Sequence, residues 1–128
     1  MKRAICFLAL AITLFAVTAA GCQSESGLEI RPAPIHEVQV NIAESYPQQI
    51  LVYIKGGLSD GCTAFHDLTV KRSGKTINIK VTTERPQNAI CPQVYGYFEE
   101  SVNLGSDFTS GETYKIVVND KTTSFGMP

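Results

Sequence analysis

The sequence predicts an all-β sandwich for most of its 128 residues, and three observations lead to that fold. Apolar and polar residues alternate with a period of two in several stretches, as in strands that bury one face. Turn signals containing glycine or proline separate these stretches at the spacing typical of sandwiches. No stretch after residue 21 shows helical periodicity. We therefore predict one seven-stranded domain over residues 35–128.

The first 21 residues predict a helical signal segment that precedes the domain. Lys2 and Arg3 form a basic start, residues 4–17 form an apolar run, and three small residues lead to Cys22. A basic start, an apolar centre and a small-residue end are the features of a secretory signal. A cleaved signal of ordinary type and an uncleaved anchor helix are the alternatives.

The end of this segment, Ala19-Ala20-Gly21-Cys22, resembles the lipobox of bacterial lipoprotein precursors. The resemblance implies that residues 1–21 are removed and that Cys22 becomes the first mature residue, carrying acyl chains such as palmitate. Ala19 departs from the leucine that the family most often has there. An extracytoplasmic, membrane-anchored lipoprotein is therefore expected, at the outer membrane if the source is Gram-negative and at the cell surface otherwise.

Charge argues against a nucleic-acid partner. Without residues 1–21, nine basic and twelve acidic side chains remain, which gives a net charge near −3. A mildly acidic domain without a run of Lys or Arg is a poor match for polyanions. We expect contact with the lipid bilayer through the acyl chains on Cys22 alone.

Residues 22–34 are polar and end in two prolines, so we predict a flexible tether. Residues 35–42 alternate apolar and polar side chains, which predicts a strand with one wet face. Residues 49–55 are apolar on both faces and predict a central strand. The glycine-rich stretch 56–61 predicts a loop.

A β-hairpin is expected to organise the middle of the chain. Its arms, residues 62–72 and 75–84, flank Ser73-Gly74, which predicts a two-residue turn. The second arm alternates most clearly, with Ile77, Ile79 and Val81 on one face.

This hairpin predicts a disulfide between Cys62 and Cys91. In the expected register Cys62 faces Arg85, and Cys91 follows six residues later in a loop that has only to fold back. The Cα separation of about 5.5 Å that a disulfide requires is then within reach. No Cys-x-x-Cys spacing suggests a redox or metal site instead.

The last third of the chain predicts three more strands. Residues 94–104 alternate, but Glu100 shares the apolar phase of its neighbours, so we predict a bulge at Glu99-Glu100. Residues 113–118 point Tyr114 and two aliphatic side chains inward. Asn119-Asp120 predicts a turn into a final strand over residues 121–125.

The segment 108–118, Phe-Thr-Ser-Gly-Glu-Thr-Tyr-Lys-Ile-Val-Val, resembles the tyrosine-corner segment of fibronectin type III and immunoglobulin-like domains. That resemblance implies a bond between the hydroxyl of Tyr114 and the backbone. It also implies that the loops at 56–61, 85–93 and 119–120 meet at one pole. The chain as a whole is similar to small exported bacterial lipoproteins without an assigned function.

No catalytic or metal-binding constellation is predicted, and no cofactor. His36 and His66 lie on the apolar phase of their strands, which favours neutral, hydrogen-bonded histidines in the core or at its edge over a ligand or a catalytic role. His66 and Asp67 are neighbours on a strand and point to opposite faces, so they cannot act together as base and helper.

The candidate binding surface comprises Arg85, Gln87, Asn88, Tyr95 and Tyr97, around a loop stiffened by proline. Arginine and tyrosine are the residue types that anchor interfaces. The alternative is that the aromatic side chains complete the core and that the prolines only shape the crossover. We therefore expect a non-catalytic binding or envelope module whose partner is an envelope protein or a glycan. The alternative is a small secreted or periplasmic enzyme, or an enzyme inhibitor, on the same scaffold.

Overall fold

The computed structural model describes residues 27–128, and all regular secondary structure in this part of the chain is β-strand. The predicted signal segment and Cys22 lie outside the described residues. Within residues 27–128 no helix is long and apolar enough to cross a membrane. The strands are β1 (Leu28–Pro32), β2 (Ile35–Ala43), β3 (Gln49–Leu58), β4 (Ala64–Ser73), β5 (Thr76–Pro86), β6 (Gly96–Gly105), β7 (Thr113–Val118) and β8 (Lys121–Gly126).

The strands form two sheets, which confirms the predicted β-sandwich. The smaller sheet has the order β2-β3-β6 and is antiparallel throughout. The larger sheet has five strands, with β5 paired to β4, β1 and β7, and β8 beyond β7. β4 pairs along most of one edge of β5, so β7 and β1 share its other edge, one after the other.

The core between the sheets consists of aliphatic side chains from central strands. It includes side chains from β3, β5 and β7 that are under 2% exposed: Ile50, Val52, Ile54, Ile77, Val81, Ile116 and Val118. These residues have the inward phase that alternation predicts, because successive side chains of a strand point to opposite faces.

β1 lies in the segment predicted to be a flexible tether, so the sandwich has eight strands rather than seven. Leu28 to Pro32 pair with Pro86 to Thr82 of β5. The chain stays bonded beyond β1, because the N–H of Ala33 donates to the carbonyl of Val81 at 2.9 Å. Ala33 is 3% exposed. Pairing with a distant strand therefore overrides the polar composition of this segment.

The pairing of β5 with β7 is parallel, a departure from the antiparallel sheets of fibronectin type III and immunoglobulin-like sandwiches. A second departure concerns the turn at Asn119-Asp120. It lies beside the middle of β5, where the N–H of Asn119 donates to the carbonyl of Ile79 at 3.1 Å. This turn therefore does not join the other two loops at one pole. The tyrosine-corner bond is present, since the N–H of Thr109 donates to the hydroxyl of Tyr114 at 2.8 Å.

The hairpin between β4 and β5 is shifted from its predicted register. Ser73 pairs with Thr76, so the two-residue turn is Gly74-Lys75 and not Ser73-Gly74. Gly74 has φ +61° at the first turn position, which is where a type II′ turn places glycine. A bulge at His66 then shifts the register again before the open end of the hairpin.

Two further local predictions were wrong. Gly56 and Gly57 belong to β3, although their composition suggested a loop. β6 pairs with β3 without a bulge at Glu99-Glu100, so Glu100 keeps an inward phase on an edge strand. An inward-facing charge at an edge opposes pairing with another chain.

Candidate functional site

Two loops, 59–63 and 87–95, close one end of the sandwich and are joined covalently. Cys62 and Cys91 form the predicted disulfide, with a Cα separation of 5.6 Å. The N–H of Gly61 also donates to the carbonyl of Pro92 at 2.8 Å. The start of β1 lies at the same end, because Leu28 pairs with Pro86 and the N–H of Gln87 donates to the carbonyl of Gly27 at 3.1 Å. We call this end the tether pole.

Arg85, predicted as part of a binding surface, is instead bonded within the tether pole. Its Nε donates to Oδ2 of Asp60 at 2.7 Å, and its terminal nitrogens donate to the carbonyls of Pro86 and Ala89. Its side chain is only 26% exposed. The structure thus makes Arg85 a brace between the two loops.

Asp60 is the partner that sequence reasoning missed. Its Oδ1 accepts from the backbone N–H of Cys62 at 3.0 Å and from the hydroxyl of Thr63 at 2.8 Å. The hydrogen bond from Arg85 is the main cause that lowers the pKa of Asp60 to about 2, and the bond from Thr63 adds to it. An Asp that accepts from a residue two positions on forms an Asx turn, so Asp60-Gly61-Cys62 carried a usable signal.

Gln87 and Asn88 are exposed turn residues of the loop 87–95. Asn88 has φ +59°, a conformation that asparagine tolerates better than most residues. Gln87 lies beside the start of β1, since its N–H donates to the carbonyl of Gly27 at 3.1 Å. Gln87 and Asn88 do not join the tyrosines in one cluster.

Tyr95 and Tyr97 come together with His36 on the outer side of the smaller sheet. The ring centroids of the tyrosines lie 5.4 Å apart, and that of His36 lies 5.7 Å from Tyr95 and 5.4 Å from Tyr97, all edge to face. Nε2 of His36 shares a hydrogen bond of 2.5 Å with the hydroxyl of Tyr95. Tyr95 is 47% and Tyr97 56% exposed. With Lys55, whose Nζ lies 4.6 Å from the ring centroid of Tyr97, these residues form what we call the tyrosine face.

His36 is therefore an exposed residue, contrary to the prediction of a core histidine. The register between β2 and β3 shifts from Ile35 to Glu37, so His36 is the extra residue of a bulge. A bulge reorients the side chain that it carries. Here it turns the imidazole to the same side as the tyrosines.

Gly57 makes room for the tyrosine face. A Cβ on Gly57 would lie 1.9 Å from the hydroxyl oxygen of Tyr95 and 2.9 Å from Nε2 of His36. Gly56 makes room on the core side of the sheet in the same way, since a Cβ at this position would lie 2.1 Å from the ring of Phe98. The Gly-Gly pair in β3 therefore serves close packing of rings on both sides of the sheet.

A second polar pair continues this outer surface. The hydroxyl of Tyr53 donates to Oε1 of Glu99 at 2.7 Å. That bond raises the pKa of Tyr53 to about 12, because the neighbouring carboxylate stabilises the protonated phenol, and Glu37 contributes in the same direction. The outer surface of the smaller sheet thus combines the exposed rings and the lysine of the tyrosine face with the carboxylate of Glu99, and these groups suit both stacking and hydrogen bonding.

His66 also departs from its predicted core position, because it is the bulged residue of β4. Its side chain is 37% exposed and lies in a shallow groove on the outside of the larger sheet. Nδ1 lies 3.0 Å from the hydroxyl of Thr82, and Nε2 lies 4.0 Å from Oε2 of Glu84. Thr82 is 8% exposed, and its hydroxyl donates to the carbonyl of Asp67 at 3.4 Å.

Asp60, Cys62 and Cys91 place one carboxylate oxygen and two sulfurs within 4.8 Å of one another. The sulfurs are bonded to each other, and a metal would need them as thiolates. This cluster is therefore explained by the disulfide and the brace.

Comparison with known proteins places the domain in a sequence family. The model of the ORF11 beta-sandwich domain matches residues 52–127. An uncharacterized 10.2 kDa protein in the HgiCIIM 5′ region of Herpetosiphon aurantiacus is 43% identical over 86 residues, 67% of this chain and 90% of the relative. Two 10.2 kDa proteins of the same organism, in the HgiBIM and HgiEIM 5′ regions, are each 45% identical over 76 residues, 59% of this chain and 92% of theirs. No solved structure matches the chain.

Proposed function

The chain belongs to the ORF11 beta-sandwich domain family, and from this premise we propose that it is a membrane-anchored extracytoplasmic lipoprotein that acts as a non-catalytic binding module. Acyl chains on Cys22 hold the protein at the membrane, and the tyrosine face binds an envelope protein or glycan. The fibronectin-like resemblance contributes only its tyrosine corner to this proposal, because the strand order differs.

The anchoring part of the proposal is supported by the order of residues before the domain. A basic start, an apolar run and small residues lead to Cys22. Cys62 and Cys91 form a disulfide with each other, so neither is available to form a disulfide with Cys22 in the folded chain. Mass spectrometry of the mature protein from its native membrane tests it. Acylated Cys22 at the N-terminus is expected, and an unmodified Cys22 overturns the anchoring.

The binding part depends on one observation, the exposed cluster of Tyr95, Tyr97 and His36. Edge-to-face contacts fix the rings before a partner arrives, so little side-chain entropy remains to be lost on binding. Tyrosine offers a flat apolar surface together with a hydroxyl. That combination suits either a protein surface or a sugar ring.

A photo-crosslinking amino acid at Tyr97, in the full chain expressed in intact cells, tests this surface. Tyr46 is the matched control, because it is a tyrosine on the turn between β2 and β3, at the other end of β3, and is 103% exposed. A discrete adduct from position 97 that is absent from position 46 supports the proposal. Digestion with protease or glycosidase then identifies the adduct as protein or glycan. Equal adducts from both positions, or none from position 97, would discard the tyrosine face as the binding surface.

The non-catalytic assignment is supported by the state of the two histidines. His36 is bonded to a tyrosine hydroxyl. His66 faces Thr82, whose hydroxyl is already engaged and buried. Within residues 27–128 no third side chain is hydrogen-bonded to the imidazole of His36 to orient it as a base, and the hydroxyl beside His66 is not accessible as a nucleophile.

A further inference from the structure

The tether pole exposes large apolar side chains and carries no unpaired charge on its loops. Ile90 is 101%, Val94 65% and Leu28 52% exposed. Residues 86–96 contain no Asp, Glu, Lys or Arg. In the loop 59–63 the one acidic residue, Asp60, is bonded to Arg85. The loops of this end of the domain are therefore apolar and neutral, in a chain with 18% charged residues.

These apolar side chains are held in place on the surface. The disulfide, the bond between Gly61 and Pro92, and the donation from Arg85 to Ala89 fix the loop 87–95 on both sides of Ile90. Because the loop is braced in this way, Ile90 and Val94 cannot turn into the core without breaking the brace. A cluster of exposed apolar residues on a rigid loop indicates a docking surface.

The tether pole lies close in the chain to Cys22, the proposed site of acylation, and this short separation limits how far the pole can lie from the membrane. Residues 23–27, five in number, separate Cys22 from the start of β1. Fully extended, they span about 20 Å. β5 starts from the far end of the sandwich and runs for eleven residues to the tether pole, a length of about 35 Å. A domain anchored at Cys22 therefore cannot turn its far end to the membrane, because the tether is shorter than the domain.

We propose that the tether pole docks on the lipid bilayer, with Ile90 and Val94 in the interfacial region of the lipids. This inference rests on the proposed acylation of Cys22 and goes beyond it, because it adds a second membrane contact made by the folded domain. The acyl chains on Cys22 hold the protein at the membrane, and apolar side chains that enter the lipid interface add binding free energy and fix the orientation of the domain. Tyr95 and Tyr97 then lie near the headgroup level, where tyrosine is favoured, and the tyrosine face meets its partner from the side.

Tryptophan fluorescence tests the docking, because the chain contains no Trp. The probes are Ile90→Trp and, as a control, Tyr46→Trp, each the single tryptophan of the full acylated protein. Both positions are fully exposed, so neither substitution disturbs the core. The protein is reconstituted into vesicles of phosphatidylcholine with and without brominated acyl chains, which quench a fluorophore that reaches the acyl region.

The expected result is a loss of fluorescence from the Ile90→Trp protein in brominated vesicles and an unchanged signal from the Tyr46→Trp protein. Mass spectrometry of the same samples reports the state of Cys22. Acylated Cys22 with equal or absent quenching at both positions overturns the docking and leaves the lipoprotein proposal standing. An unmodified Cys22 in protein from its native membrane overturns both.

Discussion

Nε of Arg85 lies 2.7 Å from Oδ2 of Asp60, and this pair joins the two loops that the disulfide also connects. The carboxylate receives two further bonds from its own loop. The guanidinium donates to the carbonyl of Pro86 at the end of β5 and to that of Ala89 in the other loop. A brace of this kind makes Arg85 a determinant of loop structure, so its loss should affect stability before it affects binding.

The pKa of Asp60 predicts acid sensitivity of the folded state. Its folded value of about 2 lies below the ordinary 3.8. A lowered carboxyl pKa contributes stability that is present above pH 4 and is lost as the pH falls toward 2. We expect the melting temperature of the wild type to fall across this window more steeply than that of Asp60→Asn. Parallel melting curves of the two proteins from pH 5 to pH 2 would contradict this role.

Removing the positive charge of Arg85 alone should lower the stability of the fold more than removing both charges of the pair that Arg85 forms with Asp60. Arg85→Ala leaves the carboxylate of Asp60, whose side chain is 10% exposed, without its main partner. The double variant Asp60→Asn/Arg85→Ala should recover part of the lost stability, as measured by chemical denaturation at pH 7. If the double variant is less stable than Arg85→Ala, the pair does not act as described.

The side chain of Asn119 joins β5 to the segment that follows β1 by hydrogen bonds, so its truncation should lower the free energy of unfolding. Its Oδ1 accepts from the N–H of Val81 at 2.9 Å, and its Nδ2 donates to the carbonyls of Val81 at 2.9 Å and Ala33 at 2.7 Å. We expect Asn119→Ala to lose about 2 to 4 kcal/mol of unfolding free energy, at roughly 1 kcal/mol per bond. The neighbouring exposed Asp120→Ala is the control and should stay within about 0.5 kcal/mol of wild type. Equal losses in both variants would assign the effect to the turn and not to the side chain.

Substitutions of the two glycines of β3 should have different effects, one on the stability of the fold and the other on binding at the tyrosine face. Gly56→Ala drives a methyl group into the ring of Phe98, and such overpacking costs about 1 to 3 kcal/mol. Gly57→Ala collides with Tyr95, which is half-exposed and can move outward at a smaller cost. Thermal melts together with crosslinking from position 97 check this. Gly57→Ala should weaken the crosslink more than Gly56→Ala does, and the reverse order would argue against the tyrosine face.

The bond between Tyr53 and Glu99 predicts a late phenol titration. The pKa of Tyr53 is raised to about 12, so this ring should ionise after an ordinary tyrosine. A raised acid pKa contributes stability that is present below pH 10 and is lost as the pH rises toward 12. In Glu99→Gln the late step of the ultraviolet titration should move to lower pH. An unchanged titration would show that the bond does not persist in solution.

The disulfide should carry a large share of the stability of the domain. It closes a loop with a sequence separation of 29, for which chain entropy gives about 3.6 kcal/mol. The variant Cys62→Ala/Cys91→Ala should lose an amount of this order in urea unfolding under non-reducing conditions. Wild type with reductant should match the variant, and a mismatch would point to packing effects of the alanines.

The sequence determined the features that depend on short-range pattern. Alternation identified the inward faces of β2, β5 and β7, because the side-chain period of a strand is fixed by its backbone. The spacing of the hairpin and the loop after it was enough to pair Cys62 with Cys91. The sequence also named Tyr95 and Tyr97 as surface candidates, but it left open that they complete the core, and their exposure is known only from the structure.

Only the tertiary structure decided which distant residues meet. β1 becomes a strand because β5 offers it a free edge. His36 leaves the core because a bulge, set by pairing with β3, reorients it. The side chain of Arg85 turns toward the loop 59–63 because the carboxylate of Asp60 accepts its hydrogen bond there. Each of these outcomes depends on partners far apart in the chain, and local periodicity carries no information about such contacts.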